Sequence, residues 1–242
     1  MTDVPFIFFI MASVYFLLSS EKSESNKRYP VLSGVFFGLA FMTKQVEALL
    51  IPLVVFSYFI VTRRGVRFFF TKRFSLFWRL CLLIVLPWIL YMVLRFGPDF
   101  WQSYFVFQGI TRTISTIEGH FGGYLFYFNF LANHETLLWM ALLPFAAALC
   151  TFNSVVKRSK AEVLLLMWML IVLGVFTFAQ TKLEWYILPA FPAFALAISN
   201  FLYQLSKKIQ LSIHYVYVRI EHIVNRFFPI VRSYAEKRRV QK

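Results

Sequence analysis

The sequence predicts an all-α fold, a polytopic transmembrane helical bundle of about seven spans with a C-terminal amphipathic helix. Three observations predict it. Apolar residues make up 60% of the chain and aromatic residues 20%, and the mean hydropathy is +0.66, a composition suited to lipid. Apolar runs of near-spanning length recur from end to end, and the charged residues fall between them rather than on one face. No soluble core of 242 residues could enclose 31 phenylalanines, so length here counts spans and not domains.

The runs occupy 4–20, 31–43, 46–61, 75–96, 136–153, 162–180 and 183–204. The first has no charged leader and no small-residue cleavage site, so it is expected to stay as a span. The second and third lie close enough to be one broken helix, and charge separates them. Segment 21–30 holds three Lys/Arg and 62–79 holds six, so both flanks take the cytoplasmic side and the stretch between crosses twice. The same parity puts 154–160, with three basic residues, and the tail, with nine, on that side. Outside are left Lys44, Arg95, Arg112 and Lys182, beside the acids Asp3, Glu47, Asp99, Glu118, Glu135 and Glu184. The expectation is a protein of the bacterial inner (plasma) membrane with its N-terminus outside and its C-terminus cytoplasmic.

The membrane-embedded region is expected over 1–204, with an outer loop at 97–135, and a basic cytoplasmic tail over 205–242. Gly97, Pro98 and the Gly122-Gly123 pair mark turns in that loop, which reads as interfacial with a short amphipathic helix. In the tail, Ile209, Ile213, Val216, Ile220, Ile223 and Phe227 recur at spacings of four and three, with Lys208, Arg219 and Arg226 interspersed. That pattern suits a helix lying on a membrane surface, or a short coiled coil. The net charge of +14 points to anionic membrane lipids rather than nucleic acid, because it is dispersed between spans. Cys81 and Cys150 fall inside spans, read as packing residues, and complete no ligand spacing.

Scarce charges on one side of a membrane protein are either paired or used. In "MTDVP", Asp3 is an N-cap or a functional carboxylate. In "GLAFMTKQ", Lys44 snorkels to the interface, faces a cavity and binds phosphate, or pairs with Glu47 three residues on. In "GITRTISTIEGHFGG", Arg112, Glu118 and His120 lie in a glycine-bounded loop. Glu118 and His120 either help hold a divalent metal or make structural hydrogen bonds; two residues define no site, and the cofactor stays open. In "TKLEWYILPAFP", Lys182 and Glu184 are expected at the water edge of a tight turn, with Pro189 and Pro192 in the first turns of the last span. In "LPWILYMVLRFGPDFW", Pro87 kinks a span that leaves through Arg95.

Together these stretches, in this order and from residue 1 to about 204, resemble the GT-C superfamily of glycosyltransferases. The branch resembled contains the lipid A aminoarabinose transferases and the dolichyl-phosphate-mannose protein mannosyltransferases. The resemblance implies a membrane transferase taking a sugar from a polyprenyl-phosphate-linked donor and passing it to a lipid, glycan or protein acceptor on the non-cytoplasmic face. It implies that Asp3 is a second catalytic acidic residue and that Lys44 and Lys182 contact the donor phosphate. It further implies that Tyr186 lines the cavity and that Arg112, Glu118 and His120 belong to the loop closing over it. The family's first spans and first acidic loop would precede residue 1, so the chain is expected to be the C-terminal portion of such an enzyme. Glu184-Trp185 stands where relatives often carry a proline-histidine pair. The other reading is a non-catalytic membrane component that binds or flips a polyprenyl-phosphate-linked sugar; a solute transporter fits less well, since no internal repeat is visible.

Overall fold

The computed structural model describes residues 2–23, 26–62, 70–117, 119–133 and 137–227. Its elements are α1 (Asp3–Lys22), α2 (Arg28–Lys44), α3 (Leu50–Val61), α4 (Lys72–Trp101), a single turn α5 (Arg112–Ile114), α6 (Phe126–Asn133), α7 (Leu137–Val155), α8 (Lys160–Phe178) and α9 (Phe191–Phe227). Short 3₁₀ segments, Gln45–Leu49 and Glu184–Ala190, precede α3 and α9, and a π-helical stretch, Gln102–Thr111, joins α4 to α5. No named strand occurs among the described residues, in keeping with the all-α expectation; Phe121 and Thr181 form one isolated antiparallel bridge. Residues 1–198 and 199–242 are two separate compact units.

Among the described residues, five helical stretches are long and apolar enough to cross a membrane, Asp3–Glu21, Arg28–Val61, Phe74–Ile114, Lys160–Phe178 and Glu184–Val224, and Trp139–Val155 is shorter. Arg28–Val61 contains two of the runs read from the sequence. Gln45 breaks it, with φ 48 and ψ −119, so α2 and α3 are separate pieces. Their direction follows from packing. Gly34 abuts the Phe77 carbonyl and Leu80, and Gly38 abuts Ile84, so α2 and α4 run parallel. The chain between them must therefore travel back. α3 rises about 18 Å and its 3₁₀ lead-in about 10 Å, together enough to traverse most of a hydrocarbon core.

The α1–α2 hairpin is antiparallel. Asp3 meets Lys44 at one end, Phe16 lies over Phe36 midway, and Phe16 and Tyr29 stack nearer the other end. Between them Ser13 Oγ donates to the Ser33 carbonyl at 3.1 Å and Ser33 Oγ to the Ser13 carbonyl at 2.8 Å. That reciprocal pair satisfies two hydroxyls that lipid would leave bare. Phe37 packs on Phe77 and edge-on to Trp78, which fills the α2–α4 seam. On α7 and α8, Asn153 Nδ2 donates to Glu162 Oε1 at 3.1 Å, both side chains buried. Trp168 Nε1 donates to the Pro189 carbonyl at 2.8 Å and fixes α8 against the segment that leads into α9.

Gly97 and Pro98 break α4 into two helical segments, as the turn read from the sequence suggests. Gly97 takes φ 57, ψ −138, a conformation open to glycine, and Pro98 then starts a new helical segment, where its missing N–H costs nothing. Segment 97–135 is accordingly more helical at its start than the sequence suggests. In the second unit, residues 199–227 are helical, and nearly all the described side chains from 202 onward are exposed.

Candidate functional site

Asp3, Lys44, Glu47, Arg112, Tyr186, Lys182 and His120 lie near one another in the first unit, linked by ion pairs, a shared cavity and main-chain hydrogen bonds. Lys44, in the last turn of α2, sits between two carboxylates: Asp3 Oδ1 at 2.7 Å and Glu47 Oε2 at 3.1 Å. Its ammonium also lies 5.6 Å from the Phe6 ring centroid. Asp3 stands in the first turn of α1, and no side chain caps that helix, so the N-cap alternative gives way to the ion pair. For Lys44 the Glu47 pairing holds, with Asp3 added from another helix. Glu47 is legible in the sequence as a local partner of Lys44 through its i+3 spacing.

A second group is built from the loop after α5 and the turn after α8. Gln180 and Thr181 donate their N–H groups to the carbonyls of Thr113 and Arg112, at 3.0 and 3.2 Å, and Lys182 N–H donates to the His120 carbonyl at 3.0 Å. Thr181, fully buried, donates its hydroxyl to the Ser115 carbonyl at 2.8 Å and accepts from Ile117 N–H at 3.3 Å. Tyr127 Oη donates to the Leu183 carbonyl at 3.2 Å; burial raises its phenol pKa above the usual range, which keeps it a donor. The two most distinctive polar stretches of the sequence are thus stitched main chain to main chain. Gly122 lets the seam close, because a Cβ there would lie 2.6 Å from Phe126 Cδ2 and 2.9 Å from Lys182 Cγ.

The stitching aims Arg112 inward. Its Nη1 donates to Tyr186 Oη at 3.0 Å, its guanidinium lies 5.9 Å from the Phe107 centroid, and its Nε is buried with no hydrogen-bond partner among the described residues. Tyr186 is held by stacking on Phe176 at 5.0 Å. Arg112, Tyr186, Glu47 and Gln108 line a cavity of about 220 Å³ whose remaining wall is largely aliphatic, from α3, α8 and Val46. A guanidinium at the wall of a largely aliphatic cavity suits an oxyanion joined to a hydrocarbon.

One expected residue, Lys182, has another use. Lys182 is not at the water edge: it is 4% exposed, and its ammonium donates to the carbonyls of Phe176, at 2.8 Å, and Thr177. It caps the C-terminus of α8, where the helix leaves carbonyls unpaired and its dipole favours a cation. Main-chain acceptors leave no letter in the sequence, so this use was not legible there. Glu184, by contrast, is exposed as expected. His120 is exposed on the loop, with its carbonyl in the seam. Glu118 lies outside the described residues. No group of three or more His, Cys, Asp or Glu suited to a metal gathers among the described residues.

The family described as dolichyl-phosphate-mannose-protein mannosyltransferase matches residues 1–91. The chain is 31% identical over 192 residues to the undecaprenyl phosphate-alpha-4-amino-4-deoxy-L-arabinose arabinosyl transferase 1 of Sodalis glossinidius, covering 79% of this chain and 33% of that protein. It is 29% identical over 191 residues to the enzyme of the same description from Pseudomonas fluorescens, covering 78% and 32%. The chain therefore spans about a third of the length of the curated relatives it matches. Its fold is similar to the crystal structure of ArnT from Cupriavidus metallidurans bound to undecaprenyl phosphate, with a TM-score of 0.69 at 20% identity over 84% of this chain and 36% of that one.

Proposed function

We propose that this chain, which belongs to the GT-C superfamily of membrane glycosyltransferases, carries the donor-phosphate side of a transferase. The enzyme passes a sugar from a polyprenyl-phosphate carrier to a lipid, glycan or protein acceptor on the non-cytoplasmic face of the membrane. The observation that carries the reading is Arg112, held by one N–H on Tyr186, with its guanidinium at the wall of a largely aliphatic cavity. The hydrocarbon of the carrier suits the aliphatic wall and its phosphate suits the guanidinium.

In the reaction an acceptor oxygen attacks the sugar's anomeric carbon in line, the carbon–oxygen bond to phosphate breaks, and the phosphate leaves on its lipid. Charge then grows on the departing phosphate, where Arg112 stabilises it. The acceptor's proton goes to a carboxylate, the role assigned here to Asp3. Because Asp3 is already held by Lys44 at 2.7 Å, it suits orienting an acceptor hydroxyl more than driving the step alone. That same pairing favours the second reading, a component that binds the carrier without transferring its sugar.

The test is binding of undecaprenyl phosphate to the full chain in nanodiscs, with neutral undecaprenol as control. Wild type is expected to prefer the phosphate, and Arg112→Gln to weaken it about 10- to 100-fold, the effect of one charge-assisted contact. Equal binding of the two lipids, or an unchanged Arg112→Gln, would refute the assignment. Binding with no sugar transfer in any membrane that also supplies an acceptor and the rest of a relative's length decides for the second reading.

A further inference from the structure

The helix of the second unit has a face that nothing in that unit covers. Ile209, Ile213, Val216, Ile220 and Ile223 follow one another at four, three, four and three residues, so all five fall within one stripe of a 3.6-residue helix. All are about half exposed or more, from 49% at Ile223 to 64% at Ile213. The cations are placed just as regularly. Lys208, Arg219 and Arg226 are separated by eleven and seven residues, which are three and two helical turns, so they form a single row. That row borders the apolar stripe on one side only. Along the other border run Gln210, His214, Tyr217 and Glu221, none of them Lys or Arg. Over 205–242 the chain holds nine Lys/Arg against two acids, Glu221 and Glu236.

We propose that this helix docks lengthwise on the surface of an anionic bilayer, stripe in the acyl region and the Lys208–Arg219–Arg226 row among the lipid phosphates. Charge complementarity selects this partner. In an antiparallel coiled coil the cationic rows would face each other and repel, and in a parallel one the row would meet the partner's other border, where Glu221 is the single carboxylate for three cations, whereas long basic side chains at the edge of a membrane-bound stripe reach the phosphates with their stems still in the apolar layer. A neutral surface would take the stripe and leave the cationic row without a counter-charge.

The experiment uses the full chain in nanodiscs of zwitterionic lipid alone or with an anionic phosphatidylglycerol fraction. A polarity-sensitive fluorophore is attached through Ile213→Cys, on the stripe, or His214→Cys, off it; Cys81 and Cys150 are buried and label slowly. The label at 213 is expected to shift to the blue in anionic discs while the label at 214 stays aqueous. Each basic residue near an anionic surface strengthens attachment roughly fivefold, so the triple variant K208Q/R219Q/R226Q lowers the docked-to-free ratio roughly 100-fold and removes the shift. The proposal fails if the label at 213 reports water in both discs, or if its shift ignores lipid charge. It fails equally if the shift appears only when two chains share a disc, which is self-association. The donor-binding reading is untouched by any of these outcomes, since undecaprenyl phosphate binding is measured separately.

Discussion

Replacing Lys182 by Met keeps the buried stem and removes the ammonium that caps α8. Two charge-assisted hydrogen bonds disappear, to the carbonyls of Phe176 and Thr177, and each is worth about 1.5–3 kcal/mol. Much of that is returned, because the 4% exposed ammonium no longer has to be desolvated. What persists is the orphaning of carbonyls at a buried helix end, about 1–3 kcal/mol. Taking roughly 2 kcal/mol, the local opening equilibrium of the seam rises about 30-fold. Amide hydrogen exchange of the full chain in nanodiscs reads this directly at Gln180, Thr181 and residue 182, whose N–H groups bond to Thr113, Arg112 and His120. Exchange about 30-fold faster there, with α1 and α2 unchanged, is the expected result. Undecaprenyl phosphate binding should fall far less than in Arg112→Gln. Unchanged exchange together with abolished lipid binding would mean that Lys182 meets the phosphate itself, and the capping argument would be wrong.

Gly122→Ala should destabilise the chain by about 1–3 kcal/mol in thermal unfolding, because its Cβ would overlap Phe126 and the Lys182 stem. Gly123→Ala, with nothing within 4 Å of the added carbon, is the control and should be nearly silent; equal effects would show that backbone freedom and not space decides. Thr181→Val strips a buried hydroxyl that serves Ser115 and Ile117, at about 1–3 kcal/mol, and an unshifted melting curve would contradict that role. Gly34→Ala forces its new carbon onto the Phe77 carbonyl, while Gly174→Ala meets nothing, so only the first should lower the melting temperature if α2 and α4 pack as closely as described.

Hydropathy and charge spacing made the bundle legible, since a lipid environment admits little besides helices for a chain this apolar. They also make plain that the few charges outside the basic segments have to be paired or used, which singles out Asp3, Lys44 and Arg112. Polar letters alone did not rank those residues. Asp3 and Lys44 are 41 positions apart in sequence, and only the antiparallel α1–α2 hairpin brings them to 2.7 Å. In the sequence Lys182 and Arg112 are alike, two scarce cations outside the basic segments. The fold separates them, spending one on the carbonyls of α8 and turning the other, through three main-chain hydrogen bonds of its loop, toward a cavity. The sequence by itself determined which residues are too costly to leave bare in lipid; the tertiary structure decided what each is given as a partner, because helix carbonyls and cavity walls exist only once distant segments have met.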